Sequence, residues 1–232
     1  MQYTIRIIGS ISSPYQQKFG VARQPGLVPA AQICITLDED FHADCVRGLD
    51  GFGYIWVHFI FHGVLDEGWS PLVRPPRLGG KHKMGVFATR SPHRPNHLGL
   101  SLLKLERVES GRPVRIWCSG ADLMDGTPVI DIKPYLPFAE ALPDARASYA
   151  QDAPQADMPV YFTPEITAQF GQLEKRYPRL RDFITEVLAQ DPRPAYRKEE
   201  EAGKTYAVWL LDFNVRWRVT GAGFEVFALE PR

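Results

Sequence analysis

Two kinds of stretch in this chain carry residues with the chemistry for a site. One is a run of cations without acids; the other is a set of short loops in which Gln, Arg or Asp stands beside proline or glycine. Between Gly68 and Leu105 there are seven Lys or Arg and no Asp or Glu, although at the chain-wide frequency of 27 acids in 232 residues these 38 positions would hold about four. Within this window Arg74, Arg77, Lys81, Lys83 and Arg94 are the candidate contacts to a polyanion, because a cation that meets a phosphate releases condensed counterion. A solvated charged surface has the same composition, so composition alone leaves both readings open.

The loops are Arg23-Gln24-Pro25-Gly26, Thr89-Arg90-Ser91 and Asp122-Leu123-Met124-Asp125-Gly126. Each adjoins a short strand-like segment, the usual place for a site held on a rigid frame, and each also has the composition of a plain turn. Several other chemistries find no support. Gly51-Phe52-Gly53 precedes a strand and Leu78-Gly79-Gly80 has no helix after it, so neither makes a dinucleotide fingerprint. His58 and His62 are four apart on a strand, roughly 13 Å by the ~3.3 Å rise per residue, too far to share an ion. His58 reads as a core histidine, and His62, ending its strand beside Gly63, is open to a ligand. There is no nucleophile elbow, and none of the three cysteines has a basic sequence context that would activate it.

The elements that must position these residues divide the chain. Hydrophobic residues at 44% and charged ones at 23% fit a globular protein with a substantial core. Net charge is zero, so any affinity for nucleic acid must be local. Cys34, Cys45 and Cys118 are odd in number and irregularly spaced, which argues for reduced thiols. Arg6 interrupts the first apolar stretch, so no secretory leader is expected, and the reading is a soluble, cytoplasmic protein.

Strand patterns are expected over Tyr3–Ile11, Ile33–Leu37, Tyr54–Phe61, Met84–Ala88, Leu98–Val108, Val114–Cys118 and Val129–Ile132, with a short helix over Phe41–Leu49. That pattern predicts a mainly β fold with an N-terminal barrel over 1–140. An Ala-, Pro- and Asp-rich connector follows over 141–159. A small α+β domain then fills 160–232, with one helix from Thr163-Pro164-Glu165 to about Tyr177, a second bearing Leu180, Phe183, Ile184, Val187 and Leu188, and three final strands.

Longer strings narrow the reading. They are Arg23-Gln24-Pro25-Gly26-Leu27, Arg74-Pro75-Pro76-Arg77-Leu78-Gly79-Gly80, Gly85-Val86-Phe87-Ala88-Thr89-Arg90-Ser91 and Asp131-Ile132-Lys133-Pro134-Tyr135-Leu136-Pro137-Phe138-Ala139-Glu140. Leu188-Ala189-Gln190-Asp191-Pro192-Arg193-Pro194-Ala195-Tyr196 and Phe213-Asn214-Val215-Arg216-Trp217-Arg218-Val219 extend them to the C-terminal part. Across essentially its whole length the chain resembles the TsaA-like family of tRNA methyltransferases. The resemblance implies a non-Rossmann β-barrel enzyme that uses S-adenosylmethionine, works as a homodimer and needs no metal. Its substrate would be N6 of the threonylcarbamoyladenosine beside the anticodon of threonine tRNA. It also implies cofactor contacts at Gln24, Pro25, Gly26, His62, Gly63, Arg90, Leu100, Ala121, Asp122, Leu123 and Met124. All but the last four precede Leu105 and the last four precede Asp125, so cofactor binding is expected without help from residues after Pro159. One departure is Arg94-Pro95-Asn96-His97-Leu98-Gly99, where similar sequences read proline in place of His97.

Methyl transfer from a sulfonium is an in-line displacement whose main demand is alignment at roughly 3–3.5 Å. The acceptor N–H must lose its proton, and Asp122, Asp125, Asp131 and His62 are candidates to take it. Two other classes of function are carried beside this one: a barrel that binds S-adenosylmethionine or RNA without turnover, and a metal-dependent hydrolase using the histidines.

Overall fold

Alternation decides the first half of the molecule. The computed structural model describes residues 2–193 and 202–232. In chain order its strands are β1 (Gly9–Ser12), β2 (Gln32–Leu37), β3 (Tyr54–Ile60), β4 (Leu72–Val73), β5 (Met84–Gly85), β6 (Leu98–Glu109), β7 (Arg115–Ser119), β8 (Pro128–Pro134), β9 (Val160–Phe162), β10 (Thr205–Leu210), β11 (Phe213–Thr220) and β12 (Gly223–Pro231). The helices are α1 (Pro137–Glu140), α2 (Pro164–Leu173) and α3 (Leu180–Ala189).

Six strands close into a barrel in the order β1-β2-β7-β6-β3-β8. On β3, Ile55, Val57 and Phe59 point inward and are buried, while Tyr54, Trp56, His58 and Ile60 line the outer face. β6 obeys the same period, with Gly99, Ser101 and Leu103 inside and Leu98, Leu100 and Leu102 outside. Phe59 pairs with Gly99, and a Cβ at Gly99 would come 2.3 Å from the Phe59 ring. Only glycine lets that ring lie flat across its neighbour strand.

Residues after the barrel build a four-stranded sheet, β10-β11-β12-β9, in which β9 runs parallel to β12. Leu180, Phe183, Ile184, Val187 and Leu188 follow helical spacing, and all five are buried from α3. They meet Val215, Trp217, Phe224 and Val226 of the sheet in one core.

Packing divides the chain in a way its order along the sequence does not. One compact unit comprises Met1–Ser12, Ile33–Ser119 and Gly126–Ala153. The other comprises Ser13–Gln32, Gly120–Asp125 and Pro154–Arg232. Tyr15, Ala22, Val28, Ala30 and Ala31 are therefore core residues of the α+β unit, with Tyr15 edge-on to Phe183 at 5.5 Å and Phe19 stacked on Trp217 at 6.1 Å.

Several expected elements differ. Met84–Ala88 is not a buried strand: β5 stops at Gly85, a 3₁₀ turn covers Val86–Ala88, and only Val86 is buried while Phe87 is 79% exposed. The strand expected over Tyr3–Ile11 begins at Gly9, where pairing with Leu37 begins. Phe41–Leu49 forms 3₁₀ turns at Ala43–Val46 and Leu49–Gly51, with Val46, at the end of the first, their buried residue. His58 lies half-buried on the outer face of the barrel, not in its core. β9, directly after the expected connector, is too short for any alternation to be read. Pro194, Ala195 and Tyr196 lie outside the described residues. No helix among the described residues is long and apolar enough to cross a membrane.

Candidate functional site

The residues singled out by sequence fall into two groups, one in each unit. In the α+β unit, Gln24-Pro25-Gly26 and Ala121–Met124 lie side by side. The Gly26 N–H donates to the Gly120 carbonyl at 2.8 Å, and the Ala121 N–H donates to the Ala31 carbonyl at 3.2 Å. Gly26 and Gly120 hold left-handed φ of +81° and +69°. A Cβ on Gly120 would meet the Gly26 Cα at 3.3 Å, whereas one on Gly26 would meet nothing within 4 Å. The paired segments thus touch through bare backbone on one side and leave Gly26 open on the other.

A second turn fixes the far end of this cradle. Ser13 Oγ donates to the Leu123 carbonyl at 2.5 Å, and the Ser13 N–H donates to Asp125 Oδ1 at 2.8 Å. The Asp125 N–H returns to the Tyr15 carbonyl at 2.9 Å. Ala121 and Leu123 are buried, which turns the half-buried Asp122 and Met124 the other way along the segment. The Tyr15 phenol is fully buried with no hydrogen-bond partner among the described residues. Burial, and after it the negative charge of Asp122, raises its pKa well above the ordinary phenol value.

In the barrel unit, His62 and Gly63 open a 3₁₀ turn, His62–Glu67, directly after β3. The Phe61 N–H donates to the His97 carbonyl at 2.8 Å, tying this end of β3 to the loop that leads into β6. Leu100 stands on the outer face of β6, 46% exposed, opposite His58. Arg90 is exposed at the end of a well-braced turn. Thr89 Oγ1 donates to the Val86 carbonyl at 2.9 Å, and Arg94 Nη1 donates to the Thr89 carbonyl at 2.8 Å. Arg94 therefore braces the turn that presents Arg90. His97 has φ +48°, which the proline of similar sequences cannot adopt, so this loop uses the freedom its histidine provides.

The cationic window forms a hairpin. β4 pairs with β5 through Leu72 with Gly85 and Val73 with Met84, and the loop between them carries Arg74, Arg77, Lys81 and Lys83, all exposed. Arg77 donates to the Asp152 carbonyl. Among the described residues no carboxylate pairs with Arg74, Lys81 or Lys83. The cations of β11 behave otherwise, for Arg216 pairs with Glu230 at 2.9 Å and Arg218 with Glu225.

Of the candidate proton acceptors, Asp125 accepts from Ser13 and Asp131 is engaged by Lys133 and by the Ile132 N–H. Burial, then the charge of Lys133, lowers the pKa of His58, with Asp131 opposing. No three side chains among the described residues gather into a metal site. The two buried thiols are quiet, since burial raises Cys34 and carries Cys118 up to about 12.

One expectation is corrected here. The segments Gln24–Gly26 and Ala121–Met124 do not stand independent of residues after Pro159, because they pack in the unit those residues complete. Sequence reading missed the residues that hold them, Ser13, Glu186 and Gln190. Only Asp125 left a local signal, the turn pair Asp125-Gly126.

Models of known families match both parts of the chain: the tRNA-methyltransferase O N-terminal domain over residues 10–141, and the TrmO C-terminal domain over 155–232. The tRNA (adenine(37)-N6)-methyltransferase of Escherichia coli K12 is 63% identical over 227 residues, covering 97% of each chain. The enzyme of that name from Eikenella corrodens is 55% identical over 168 residues, 72% of this chain and 91% of its own. A crystal structure of TrmO from Pseudomonas aeruginosa superposes with a TM-score of 0.81 at 36% identity, covering 99% of this chain and 98% of that one.

Proposed function

This chain belongs to the tRNA-methyltransferase O family, and from that premise we infer that it transfers the methyl group of S-adenosylmethionine to N6 of adenine 37 in tRNA. The observation that carries the reading is that both family models match in order and together span nearly the whole chain. The 63% identical relative, covered to the same extent as this chain, is named tRNA (adenine(37)-N6)-methyltransferase. The substrate form we propose is threonylcarbamoyladenosine in threonine tRNA, within a cytoplasmic homodimer. We keep 1–140, 141–159 and 160–232 as its sequence modules.

S-adenosylmethionine supplies a methyl group already activated on a sulfonium, so the protein's work is to bind, align and exclude water. The residues present fit such a ligand. The Gly26 backbone is open on one side, with room that a Cβ would take, and it is braced through Gly120 on the other. Gln24, Pro25, Gly26 and Ala121–Met124, within the α+β unit, are the proposed cofactor contacts there. His62, Gly63, Arg90 and Leu100, within the barrel unit, are proposed as contacts from the family resemblance alone. Asp122, Asp125, Asp131 and His62 are the groups to test as proton acceptor, and Asp125 and Asp131 also accept main-chain N–H groups from Ser13 and Ile132.

Arg74, Lys81 and Lys83 on the β4–β5 hairpin are the proposed phosphate contacts, with Arg77 and Arg94 contributing positive charge while they brace main chain. Support for a homodimer comes from the outer face of β3 and β6. There Ile60 and Leu98 on one side of the His58–Leu100 pair, and Trp56 and Leu102 on the other, make a largely apolar face that a second copy would cover.

The test is incubation with methyl-labelled S-adenosylmethionine and tRNA carrying or lacking the threonylcarbamoyl group. Label in the modified tRNA alone is expected. Cofactor binding without transfer to either tRNA would leave a binding module in place of an enzyme.

A further inference from the structure

Helix α3 buries Leu180, Phe183, Ile184, Val187 and Leu188, and that fixes which way its remaining residues point. Glu186 and Gln190 are four apart and share a face next to the buried stripe. Glu186 Oε2 accepts the Ala30 N–H at 2.7 Å, and Gln190 Nε2 donates to the Leu27 carbonyl at 3.2 Å. One acceptor on the helix and one donor at its C-cap thus grip an N–H and a C=O three residues apart. The Val28 carbonyl accepts from Ala31 at 3.0 Å, closing the gripped segment into a turn over buried Val28, Ala30 and Ala31. From the two ends of this turn the backbone reaches the cradle, through Ala31 to Ala121 at 3.2 Å and through Gly26 to Gly120 at 2.8 Å. Arg179 lies 3.7 Å from Glu186 Oε1 and holds that carboxylate in place.

We propose that Glu186 and Gln190 are positioning residues for cofactor binding, by which the C-terminal module sets the backbone of Gln24–Gly26. This deepens the reading above and rests on it. Neither residue belongs to the cofactor-contacting strings. Their effect passes through two backbone groups and a shared hydrogen-bonded turn, so it acts on the cofactor's affinity and leaves tRNA affinity alone. Removing the Glu186 carboxylate strands a buried N–H at Ala30, and the turn must shift to rehydrate it.

The experiment uses the full chain, with S-adenosylmethionine binding read by calorimetry, and kcat and both KM values from methyl transfer. Wild type comes first: if it neither binds the cofactor nor methylates modified tRNA, the functional reading fails on its own. With wild type active, Glu186→Ala is expected to raise the S-adenosylmethionine Kd about tenfold, while the KM for tRNA stays within about twofold. Glu186→Gln, which keeps an acceptor oxygen for Ala30, is expected to recover most of that affinity. An unchanged cofactor Kd in Glu186→Ala overturns the proposal, and so does an equal loss toward cofactor and tRNA. Should Glu186→Ala fail to fold, Gln190→Ala decides, with about a threefold weaker cofactor Kd expected and an unchanged one overturning it.

Discussion

The backbone N–H of Gly26 donates to the carbonyl of Gly120 at 2.8 Å, and both residues hold left-handed φ. Their surroundings differ, because Gly120 faces Gly26 at contact distance while Gly26 faces open space. Alanine at either position meets the same backbone strain, roughly 1–2 kcal/mol. Each variant is therefore expected to lose about 2–8 °C in Tm. Gly26→Ala also fills the open side, so its S-adenosylmethionine affinity should fall further than that of Gly120→Ala. Wild-type affinity in a folded Gly26→Ala protein would put the cofactor elsewhere.

Arg90 is exposed at the end of a turn braced by Thr89 and Arg94, so its backbone position is set. Arg90→Lys keeps the charge and loses the planar fork of donors. A rate loss of at least about tenfold is expected, on the order of 1.4 kcal/mol in activation free energy. Turnover near wild type in the Lys variant would reduce Arg90 to a source of charge.

The barrel was legible in the sequence because each of its main strands alternates. Ile55, Val57 and Phe59 against Tyr54, Trp56 and His58 leave one register that buries the apolar set. The apolar run Met84–Ala88 misled for the opposite reason, since it has no alternation and its apolar content says nothing about exposure; Phe87 ends up in solvent. His58 misled through its neighbours, because an apolar strand does not announce which of its two faces is the core. The interleaving of Ser13–Gln32 with the C-terminal unit left almost no trace. It rests on small residues, Ala22, Ala30 and Ala31, and on bonds such as Glu186 to Ala30 that join positions 156 apart. No local pattern encodes a contact at that separation.

Cys118 gives a pH test. Burial, with Cys34 and Glu106 adding to it, lifts its thiol to about 12 from an ordinary 9.0. A raised folded-state value means the native protein keeps a proton that the unfolded chain has released. The contribution is fully present below about pH 9 and is lost as pH rises from there toward 12. Cys118→Ala is expected to be less stable at pH 7 through the cavity it leaves, yet to show a shallower decline of stability between pH 9 and 11 than wild type in urea titrations. Parallel slopes would mean the thiol is not the group responsible. Alkylation of the native protein at pH 8 should modify Cys45, the exposed cysteine, well ahead of Cys34 and Cys118.

A chain ending at Ala153 removes α2, α3 and the four-stranded sheet, against which Val28, Ala30 and Ala31 are buried. The segment bearing Gln24–Gly26 then loses both its core and its two helix-borne hydrogen bonds. S-adenosylmethionine binding measured by calorimetry is expected to disappear, even if circular dichroism retains the β signal of the barrel. Binding at wild-type affinity by the truncated chain would show that residues 13–32 hold their shape without the C-terminal core.

Binding of tRNA should depend steeply on salt and centre on the β4–β5 hairpin. Seven Lys or Arg lie between Gly68 and Leu105 with no carboxylate in the window, and among the described residues no carboxylate pairs with Arg74, Lys81 or Lys83. Each phosphate contact on a single strand contributes about −0.7 to the slope of log affinity against log salt, so four contacts give roughly −3. Changing Arg74, Arg77, Lys81 and Lys83 together to Ala is expected to flatten that slope while cofactor affinity stays nearly constant. Arg77 adds a control within the set: its donation to the Asp152 carbonyl makes its single Ala variant the one most prone to lower Tm. Arg216 and Arg218 are the competing surface, but their guanidinium groups are matched by Glu230 and Glu225, which leaves little charge to attract phosphate. Replacing that pair should therefore leave the slope where it was. If the slope instead survives the quadruple change and collapses with Arg216 and Arg218, the RNA footprint lies on the C-terminal sheet, and the hairpin is only a solvated charged loop.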